Sequence, residues 1–233
     1  MGSLWIVALG ATALLALLYW ELWVCEGAHL GRRFVVWLYD LAAGYYERIK
    51  RFDTLWERRF LAEPVAQAIQ NLDRARILDV GAGTGRLARS LFQLPDVRAQ
   101  VVCLEPSARM AARGRSATPD EKALWVRAWG DPLPFPEGCF DLVSCLEVLE
   151  FTPRPAETLA ELARVLRPAG LLLITNRVGR EARWILGRTY RRERFPEILA
   201  EAGFENIEVF PWQVNYDLAW ARRARADRAA PAA

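Results

Sequence analysis

The sequence predicts an α/β fold with a doubly wound sheet, preceded by one transmembrane helix. From Arg76 onward, short apolar strands alternate with helical segments, which is the pattern of a parallel sheet covered on both faces. Two further strand-like segments near the C-terminus are close enough to pair as an antiparallel hairpin. A long apolar segment precedes all of this. A chain of 233 residues has room for one such domain and an appendage.

The apolar segment, Leu4–Val24, carries a single charge, Glu21. As a helix it spans about 30 Å, which matches the hydrocarbon core of a bilayer. Aromatic residues mark its two ends, as expected at membrane–water interfaces: Trp5, Tyr19, Trp20 and Trp23. Residues 1–25 are therefore predicted to form an anchor that contacts the lipid bilayer through residues 4–24.

Basic residues follow the segment and none precedes it: Arg32, Arg33, Arg48, Lys50, Arg51, Arg58 and Arg59. The positive-inside rule then predicts a single-pass protein of the cell membrane with its main domain in the cytoplasm. A cleaved signal peptide is disfavoured because a basic start and a small-residue cleavage site are missing. A lipoprotein signal ending at Cys25 is disfavoured by the bulky Trp23 and Val24. A buried helix would need covering on all sides.

Residues 26–73 are predicted to be a helical linker or lid. Their apolar residues recur at helical spacing, and Pro64 is expected in the first turn of a new helix. The segment mixes aromatics with arginines, so it either lies on the membrane surface or packs on the main domain. The two arrangements are compatible.

Residues 74–226 are predicted to form the main domain, followed by a flexible tail over 227–233. Expected strands cover 76–80, 99–105, 123–129, 140–147, 171–176, 205–212 and 214–222. Expected helices cover 85–93, 107–114, 155–167 and 193–202. Ligands of such sheets bind beyond the carboxyl ends of the strands.

Composition narrows the function. The net charge of +3 does not indicate a nucleic-acid partner. The four cysteines form no CxxC pair, which argues against a disulfide framework. His29 is the only histidine, so a His-based metal site or a Ser-His-Asp triad is disfavoured, and no metal site is predicted.

The segment ILDVGAGTGRL holds glycines 81, 83 and 85 directly after the first strand. Such glycines turn the chain sharply and bring backbone N–H groups close to a ligand. The third glycine comes one residue earlier than in the dinucleotide fingerprint, and Arg86 takes its place. Asp79 puts a carboxylate where a pyrophosphate would sit, which favours a cationic ligand with an ammonium or sulfonium group.

Glu105 closes the second strand in VVCLEPS. Its carboxylate can accept both hydroxyls of a ribose, as in sites for NAD and for S-adenosylmethionine. A solvated strand end is the alternative.

Four segments occur in order: ILDVGAGTGRL, VVCLEPSARM, AWGDPLPFPEGCFDLVSCLEVLEF and LARVLRPAGLLLI. Together they resemble the class I S-adenosylmethionine-dependent methyltransferases, and most of all the group that includes the quinone-biosynthesis methyltransferases. The resemblance covers roughly residues 39–223. It implies a Rossmann-like, seven-stranded sheet, S-adenosylmethionine as cofactor, and methyl transfer as the activity.

The resemblance also implies the cofactor contacts. The methionine moiety is expected at the first motif, the ribose at Glu105 and the adenine between Pro106 and Met110. Relatives carry an acid at the position of Trp129, so either Trp129 stacks on the adenine or Asp131 replaces the acid. The full expected set is Asp79, Gly81, Ala82, Gly83, Gly85, Glu105, Pro106, Met110, Trp129, Asp131 and Leu146.

Methyl transfer from a sulfonium is an in-line displacement that mainly requires alignment in a dry pocket. A general base helps only when the nucleophile must lose a proton. Candidates are Glu147, Glu150 and Tyr46, with Tyr39 as a fourth. Each has a structural alternative, because the glutamates can cap a helix and the tyrosines can pack in the lid.

Residues 176–194 contain seven arginines, which either hold anionic headgroups or a phosphate-bearing lipid, or form a solvated helix face. Because an anchored enzyme meets membrane-soluble molecules at high effective concentration, the expected substrate is lipophilic. A quinone, isoprenoid, phospholipid or pigment precursor fits this description.

Two other functions stay open. The chain is alternatively an accessory subunit of a membrane protein complex with little or no catalytic activity. Its anchor would then pack against other helices through Ala8, Gly10, Ala11 and Ala13. A nucleotide-dependent oxidoreductase is disfavoured by the early third glycine.

Overall fold

A seven-stranded sheet forms the centre of the structure, a computed structural model that describes residues 2–50, 53–119 and 121–225. The strand order is β3-β2-β1-β4-β5-β7-β6, and β1 to β5 are parallel. β7 pairs antiparallel with both β5 and β6. The strands are β1 Ala75–Val80, β2 Ala99–Leu104, β3 Ala123–Val126, β4 Phe140–Cys145, β5 Leu166–Arg177, β6 Phe204–Gln213 and β7 Tyr216–Arg223. The predicted fold class and C-terminal hairpin are confirmed.

Alternation along the strands explains why the sheet is covered on both faces. In β1, Leu78 and Val80 enter one core cluster, whereas Ala75 and Ile77 enter the other. Successive side chains of a strand point to opposite faces, so a strand without polar alternation requires two cores. Helices of the main domain cover the two faces of the sheet and complete these cores: α6 Arg86–Leu91, α7 Ala108–Ala117, α8 Pro155–Val165 and α9 Phe195–Glu201.

The predicted boundaries at the end of the third strand and at the start of the fifth were wrong. The third strand ends at Val126 rather than at residue 129. The helix expected over 155–167 ends at Val165, and β5 begins at Leu166, five residues before the predicted start at 171. Leu166 pairs with Phe140 of β4, and Pro168 has no N–H to continue a helix, so sheet pairing takes over there.

Residues 26–73, here called the lid, are mostly helical where the structure describes them, and they pack on the main domain. It contains α2 Arg32–Ala42, α3 Tyr46–Lys50, α4 Thr54–Glu57 and α5 Glu63–Ile69. Asp40 of α2 accepts a hydrogen bond from Ser107 Oγ at 2.6 Å and one from the Arg109 N–H at 3.0 Å, which ties α2 to the start of α7. Pro64 lies in the first turn of α5, but a π turn at Arg58–Ala62 joins α5 to α4 without a break.

The N-terminal helix α1 covers Gly2–Tyr19 and continues through a π turn at Trp20–Val24. Among the described residues, Leu4–Val24 is the one helical segment long and apolar enough to cross a membrane. Almost all of it is exposed, which argues against a helix buried in a core. Its end packs on the main domain, where Val24, Cys25 and Ala28 form a small core with Ile185. The predicted tail over 227–233 lies outside the described residues.

Candidate active site

The loop Gly81–Gly85, here called the glycine turn, leaves β1 where the strand order changes direction between β1 and β4. Gly81 has φ +66° and Gly83 has φ +57°, both in the left-handed region. A Cβ on Gly81 would lie only 2.4 Å from Val148 Cγ2. The turn therefore depends on glycine both for its backbone conformation and for its close approach to Val148.

Asp79 is buried at the carboxyl end of β1, directly before the glycine turn. Ser144 Oγ of the neighbouring β4 donates to Asp79 Oδ1 at 2.6 Å. Burial raises the Asp79 pKa to about 6, against the opposite influence of Ser144 and Arg86. Asp79 lines a small inner pocket together with Ala82 and Leu146. These three predicted residues are therefore brought together.

Glu105 follows β2, and its carboxylate is held by backbone N–H groups on both sides. Glu105 Oε2 accepts from the Gly83 N–H and Oε1 from the Ser107 N–H, each at 2.8 Å. Burial raises the Glu105 pKa to about 7, although both backbone hydrogen bonds favour the charged form. The alternative of a solvated strand end is therefore wrong.

A larger cleft, the glycine cleft, joins these groups to the lid. Its walls include Val35, Val36 and Tyr39 of the lid and Gly81, Glu105, Pro106, Trp129, Asp131 and Glu147 of the main domain. The Arg32 guanidinium lies 4.7 Å from the Trp129 ring centroid, and Arg32 Nη1 donates to the Asp131 carbonyl at 3.0 Å. Asp131 Oδ2 is buried and has no hydrogen-bond partner among the described residues. The two residues weighed for adenine contact thus share one wall.

Met110 packs beside the glycine turn and is not among the described residues that line the glycine cleft. It is buried in α7, with its Cε 3.6 Å from the point that a Cβ on Gly83 would occupy. Because Ser107 caps α7 through the Met110 N–H, the helix turns this side chain behind the glycine turn. Met110 therefore supports the turn and Pro106 lines the glycine cleft, while contact of either residue with adenine stays a prediction.

Glu147 stands where the inner pocket and the glycine cleft meet, with φ +57°. It forms ion pairs with Lys50 Nζ at 2.8 Å and with Arg86 Nη1 at 2.7 Å. Burial favours its neutral form, but Lys50 and Arg86 together outweigh that effect and hold the Glu147 pKa below its usual range. A carboxylate with a lowered pKa is a weak base, so this geometry favours positioning over the predicted proton transfer.

Arg86 links the site to the lid. Its Nε and Nη2 bind the two oxygens of the buried Glu57, each at 2.6 Å, in a bidentate pair. Its guanidinium also lies 4.5 Å from the Trp212 ring centroid. The only sequence signal for this role was its position at the end of the glycine motif.

The tyrosines are neutral at physiological pH. Burial raises the pKa of Tyr46 and of Tyr39 well above the ordinary value, and nearby carboxylates add to the effect on Tyr39. Tyr39 donates to Glu26 Oε2 at 3.0 Å, and its ring centroid lies 5.9 Å from that of Tyr46. Neither side chain is suited to act directly as a base, although Tyr46 lines the inner pocket.

Glu150 is buried behind Tyr216, a residue that the sequence did not indicate as part of the site. Tyr216 donates its hydroxyl to Glu150 Oε1 at 2.6 Å. Burial raises the Glu150 pKa, against the influence of the Tyr216 hydrogen bond. The two residues lie 66 positions apart, so no local motif links them.

A second pocket, the charged pocket, lies between Glu147 and the end of the N-terminal helix. Arg177 is buried in its wall and pairs with Glu26 at 3.2 Å and with Glu181 at 3.4 Å. Its lining comes from five separate parts of the chain: Trp23 and Glu26, Lys50, Glu147, Arg177 and Glu181, and residues 213–216, which include Tyr216.

Counting histidines predicted no metal site, yet three potential ligands meet at the end of the apolar helix. Side-chain ligand atoms of Glu21, Cys25 and His29 lie within 4.8 Å of one another. Glu21 Oε2 lies 2.9 Å from His29 Nδ1, and Glu21 Oε1 accepts from the His29 N–H at 3.0 Å. The single charge of the apolar segment is thus enclosed by the protein.

Comparison with known proteins identifies a methyltransferase domain. The family described as "Methyltransferase domain" (Methyltransf_11) matches residues 78–174. The chain is 33% identical over 103 residues to the ubiquinone/menaquinone biosynthesis C-methyltransferase UbiE of Stutzerimonas stutzeri strain A1501, covering 42% of this chain and 40% of that one. It is 35% identical over 104 residues to the biotin biosynthesis bifunctional protein BioHC of Cellvibrio japonicus strain Ueda107, covering 45% and 20%. The chain thus spans less than half the length of these curated relatives.

Solved structures show the same fold. The CurJ carbon methyltransferase superposes with a TM-score of 0.62 at 18% identity, covering 70% of this chain and 53% of that one. Human N-acetylserotonin methyltransferase in complex with S-adenosylmethionine gives 0.54 at 18% identity, covering 70% and 52%. A Haloferax volcanii methyltransferase in complex with the Trm112 methyltransferase activator gives 0.62 at 18%, covering 80% and 98%.

The sheet order and the glycine turn define a nucleoside-binding α/β domain of the methyltransferase type. Residues 78–174 match the methyltransferase domain family, and this match with the shared fold supports a class I S-adenosylmethionine-dependent methyltransferase. S-adenosylmethionine is the cofactor of this class, and the residues present fit it: the cleft is acidic, and the unpartnered Asp131 Oδ2 offers a buried acceptor.

Proposed function

We propose that this chain is a membrane-anchored methyltransferase acting on a lipophilic small molecule with a polar head. The charged pocket is the observation that carries the proposal. One of its walls, Glu147, also borders the glycine cleft, and another, Trp23, belongs to the apolar helix. A substrate in this pocket would meet the cofactor cleft on one side and the membrane on the other.

The cofactor contacts stay proposals that the geometry supports. The glycine turn and Asp79 would hold the methionine moiety, Glu105 the ribose, and Trp129 with Asp131 the adenine. Arg32 already covers one face of Trp129, so Asp131 Oδ2 is the better candidate for a polar adenine contact. The bound cofactor supplies an electrophilic methyl group on a sulfonium.

The chain's own residues align the substrate and remove its proton. Lys50 and Arg86 fix Glu147 at the junction of the two pockets, while the lid side chains Val35 and Val36 keep water from the glycine cleft. Tyr216 faces the charged pocket with Glu150 behind it. As methyl transfer makes the nucleophile acidic, its proton passes to the Tyr216 oxygen while the Tyr216 proton passes to Glu150. The raised Glu150 pKa suits this role.

The substrate class follows from the anchor and from the relatives. UbiE is named for ubiquinone/menaquinone biosynthesis, which makes an isoprenoid quinone or a similar ring with an apolar tail the first candidate. An isoprenoid tail stays in the bilayer while the polar ring reaches a pocket at its surface. An enzyme fixed to the same surface meets such a substrate at high effective concentration.

The alternative is an accessory subunit of a membrane complex with little activity. Ala8, Gly10 and Ala11 lie exposed on α1, where small residues allow close helix packing. The structural relative from Haloferax volcanii is bound to an activator, so the fold is compatible with a partner.

Methyl transfer into lipids tests the proposal. The full chain, reconstituted with a bacterial lipid extract, is supplied with methyl-labelled S-adenosylmethionine, and the solvent-extracted lipid is analysed by mass. We expect label in a lipid product that disappears in Asp79→Asn and persists in Asp73→Asn, an exposed acid before the other end of β1. Cofactor binding without any labelled product would favour the accessory subunit.

A further inference from the structure

The arginine-rich segment 176–194 begins at the end of β5 and continues mostly as a loop, not as a solvated helix. Four of its seven arginines are engaged within the protein: Arg177 with Glu26, Arg188 with the Thr152 carbonyl, Arg192 with Asp217 and Arg194 with Glu197. The other three, Arg180, Arg183 and Arg191, are exposed. In the part of the chain that the structure describes, none of these three has a carboxylate in salt-bridge range.

Large apolar side chains stand among the free arginines. Trp184 is 52% exposed, Leu186 64% and Val214 96%. Leu186 and Val214 share one concave surface with Arg180, Arg183 and Arg191. The Arg183 guanidinium lies 5.7 Å from the Trp184 ring centroid. Exposed apolar residues interleaved with unpaired cations are typical of a surface that rests on anionic lipid.

This surface is fixed to the end of the apolar helix. Cys25 Sγ contacts the Trp184 carbonyl at 3.5 Å, and Ile185 is buried against Val24, Cys25 and Ala28. Arg177 Nη2 also reaches the Val24 carbonyl at 3.4 Å. A loop attached within one turn of a membrane span lies at headgroup depth.

We propose that residues 178–193, together with Val214, form a docking face for anionic lipid headgroups. The inference rests on the proposed membrane anchor, although not on methyl transfer itself. Val214 also lines the charged pocket, as does Trp23, so the docked face holds the pocket mouth against the leaflet. The substrate then passes from the lipid into the pocket without crossing water.

A dye at Leu186 tests the docking. Leu186→Cys is labelled with an environment-sensitive fluorophore in a Cys139→Ser background, since the other three cysteines are buried. The full chain is reconstituted in phosphatidylcholine vesicles with or without phosphatidylglycerol. We expect a blue shift and quenching by lipid-borne quenchers when phosphatidylglycerol is present, both reversed by high salt.

Two triple-arginine variants show whether the fluorescence shift depends on the arginines of this face. Replacing Arg180, Arg183 and Arg191 with Gln should abolish the shift, because each arginine near an anionic surface contributes roughly five-fold in affinity. Replacing Arg74, Arg98 and Arg115, which lie just before β1, just before β2 and in α7, removes the same charge away from this face and should leave the shift intact. Water-like emission in every vesicle, or equal losses in the two triple variants, would overturn the docking face.

Alkaline carbonate extraction separates this outcome from a failure of the anchor. A chain that resists extraction but keeps water-like emission at position 186 is anchored without docking. A chain that is extracted contradicts the anchor, and with it both proposals.

Discussion

The glycine cleft and the charged pocket meet at Glu147 but are built in different ways. In the cleft, backbone groups position the acidic side chain: the Glu105 carboxylate accepts hydrogen bonds from the N–H groups of Gly83 and Ser107. In the charged pocket, side chains are positioned by ion pairs with other side chains, such as Lys50 with Glu147 and Arg177 with Glu26. A backbone frame fits one ligand shape, whereas ion pairs can exchange partners. The cleft thus suits an invariant cofactor, and the pocket suits a substrate that must displace existing contacts.

The largest expected effect comes from breaking the ion pairs. Arg86→Met leaves the Glu57 carboxylate buried without its partner, so we expect a loss of about 3–5 kcal/mol in the free energy of unfolding. The exposed pair of Arg58 with Glu63 is the control, and Arg58→Met should cost about 0–1 kcal/mol. Urea denaturation of both variants measures the difference. Similar losses would mean that the buried network contributes no more than a surface pair.

The second effect tests the backbone frame. Gly81→Ala places a Cβ 2.4 Å from Val148 Cγ2, so the turn must shift. We expect S-adenosylmethionine to bind about 100-fold more weakly, as displacements of roughly 1 Å in a site can cost this much. Gly187→Ala is matched, because Gly187 also has positive φ, +71°, but no atom lies within 4 Å of its added Cβ. Calorimetric titration should show unchanged cofactor affinity there.

The smallest expected effect is a pH dependence of stability and cofactor affinity that arises from the acids of the glycine cleft. The pKa values of Asp79 and Glu105, about 6 and about 7, lie above those of the unfolded chain, so the folded protein retains these protons longer. Stability contributed by these groups therefore falls as pH rises from about 4 to 7. A sulfonium cofactor prefers the carboxylates, so its affinity should rise across the same upper range, by about ten-fold between pH 6 and 7.

Glu105→Gln is the control for the pH experiment. It removes the upper titrating group, so the rise in affinity should move to lower pH, toward the Asp79 pKa. Glu147, whose pKa is lowered, stays ionised throughout. A cofactor affinity that falls as pH rises would contradict the assignment of these acids to the cleft.

The difference between the glycine cleft and the charged pocket also explains which site residues could be predicted from the sequence. Asp79, Gly81 and Glu105 lie in short motifs at the ends of adjacent strands, so their spacing alone brings them together. Met110 lies in such a motif too, and its packing against the glycine turn follows from the capping of α7 by Ser107, which spacing does not encode. The fold was predictable for a similar reason, since strand alternation is a local pattern.

The charged pocket was not predictable because its contacts are long-range. Lys50 meets Glu147 across 97 positions, and Arg177 meets Glu26 across 151. Glu150 was singled out as a base, but nothing near it in sequence indicated Tyr216. Arg86 was visible only as a departure from a glycine pattern. Residues whose role depends on long-range contacts can be identified only once the fold is known.

For the proposed membrane-anchored methyltransferase, the enclosure of Glu21 by His29 has a consequence for which molecules it would reach. The apolar helix ends on a carboxylate bonded to His29, and its last turn packs against Ile185 of the main domain, so the helix end is held beside the pocket. In a bilayer, this sets the height of the pocket mouth above the hydrocarbon. Lipids would then be sorted by depth: a ring carried near the headgroups comes within reach, and one that rests between the leaflets does not.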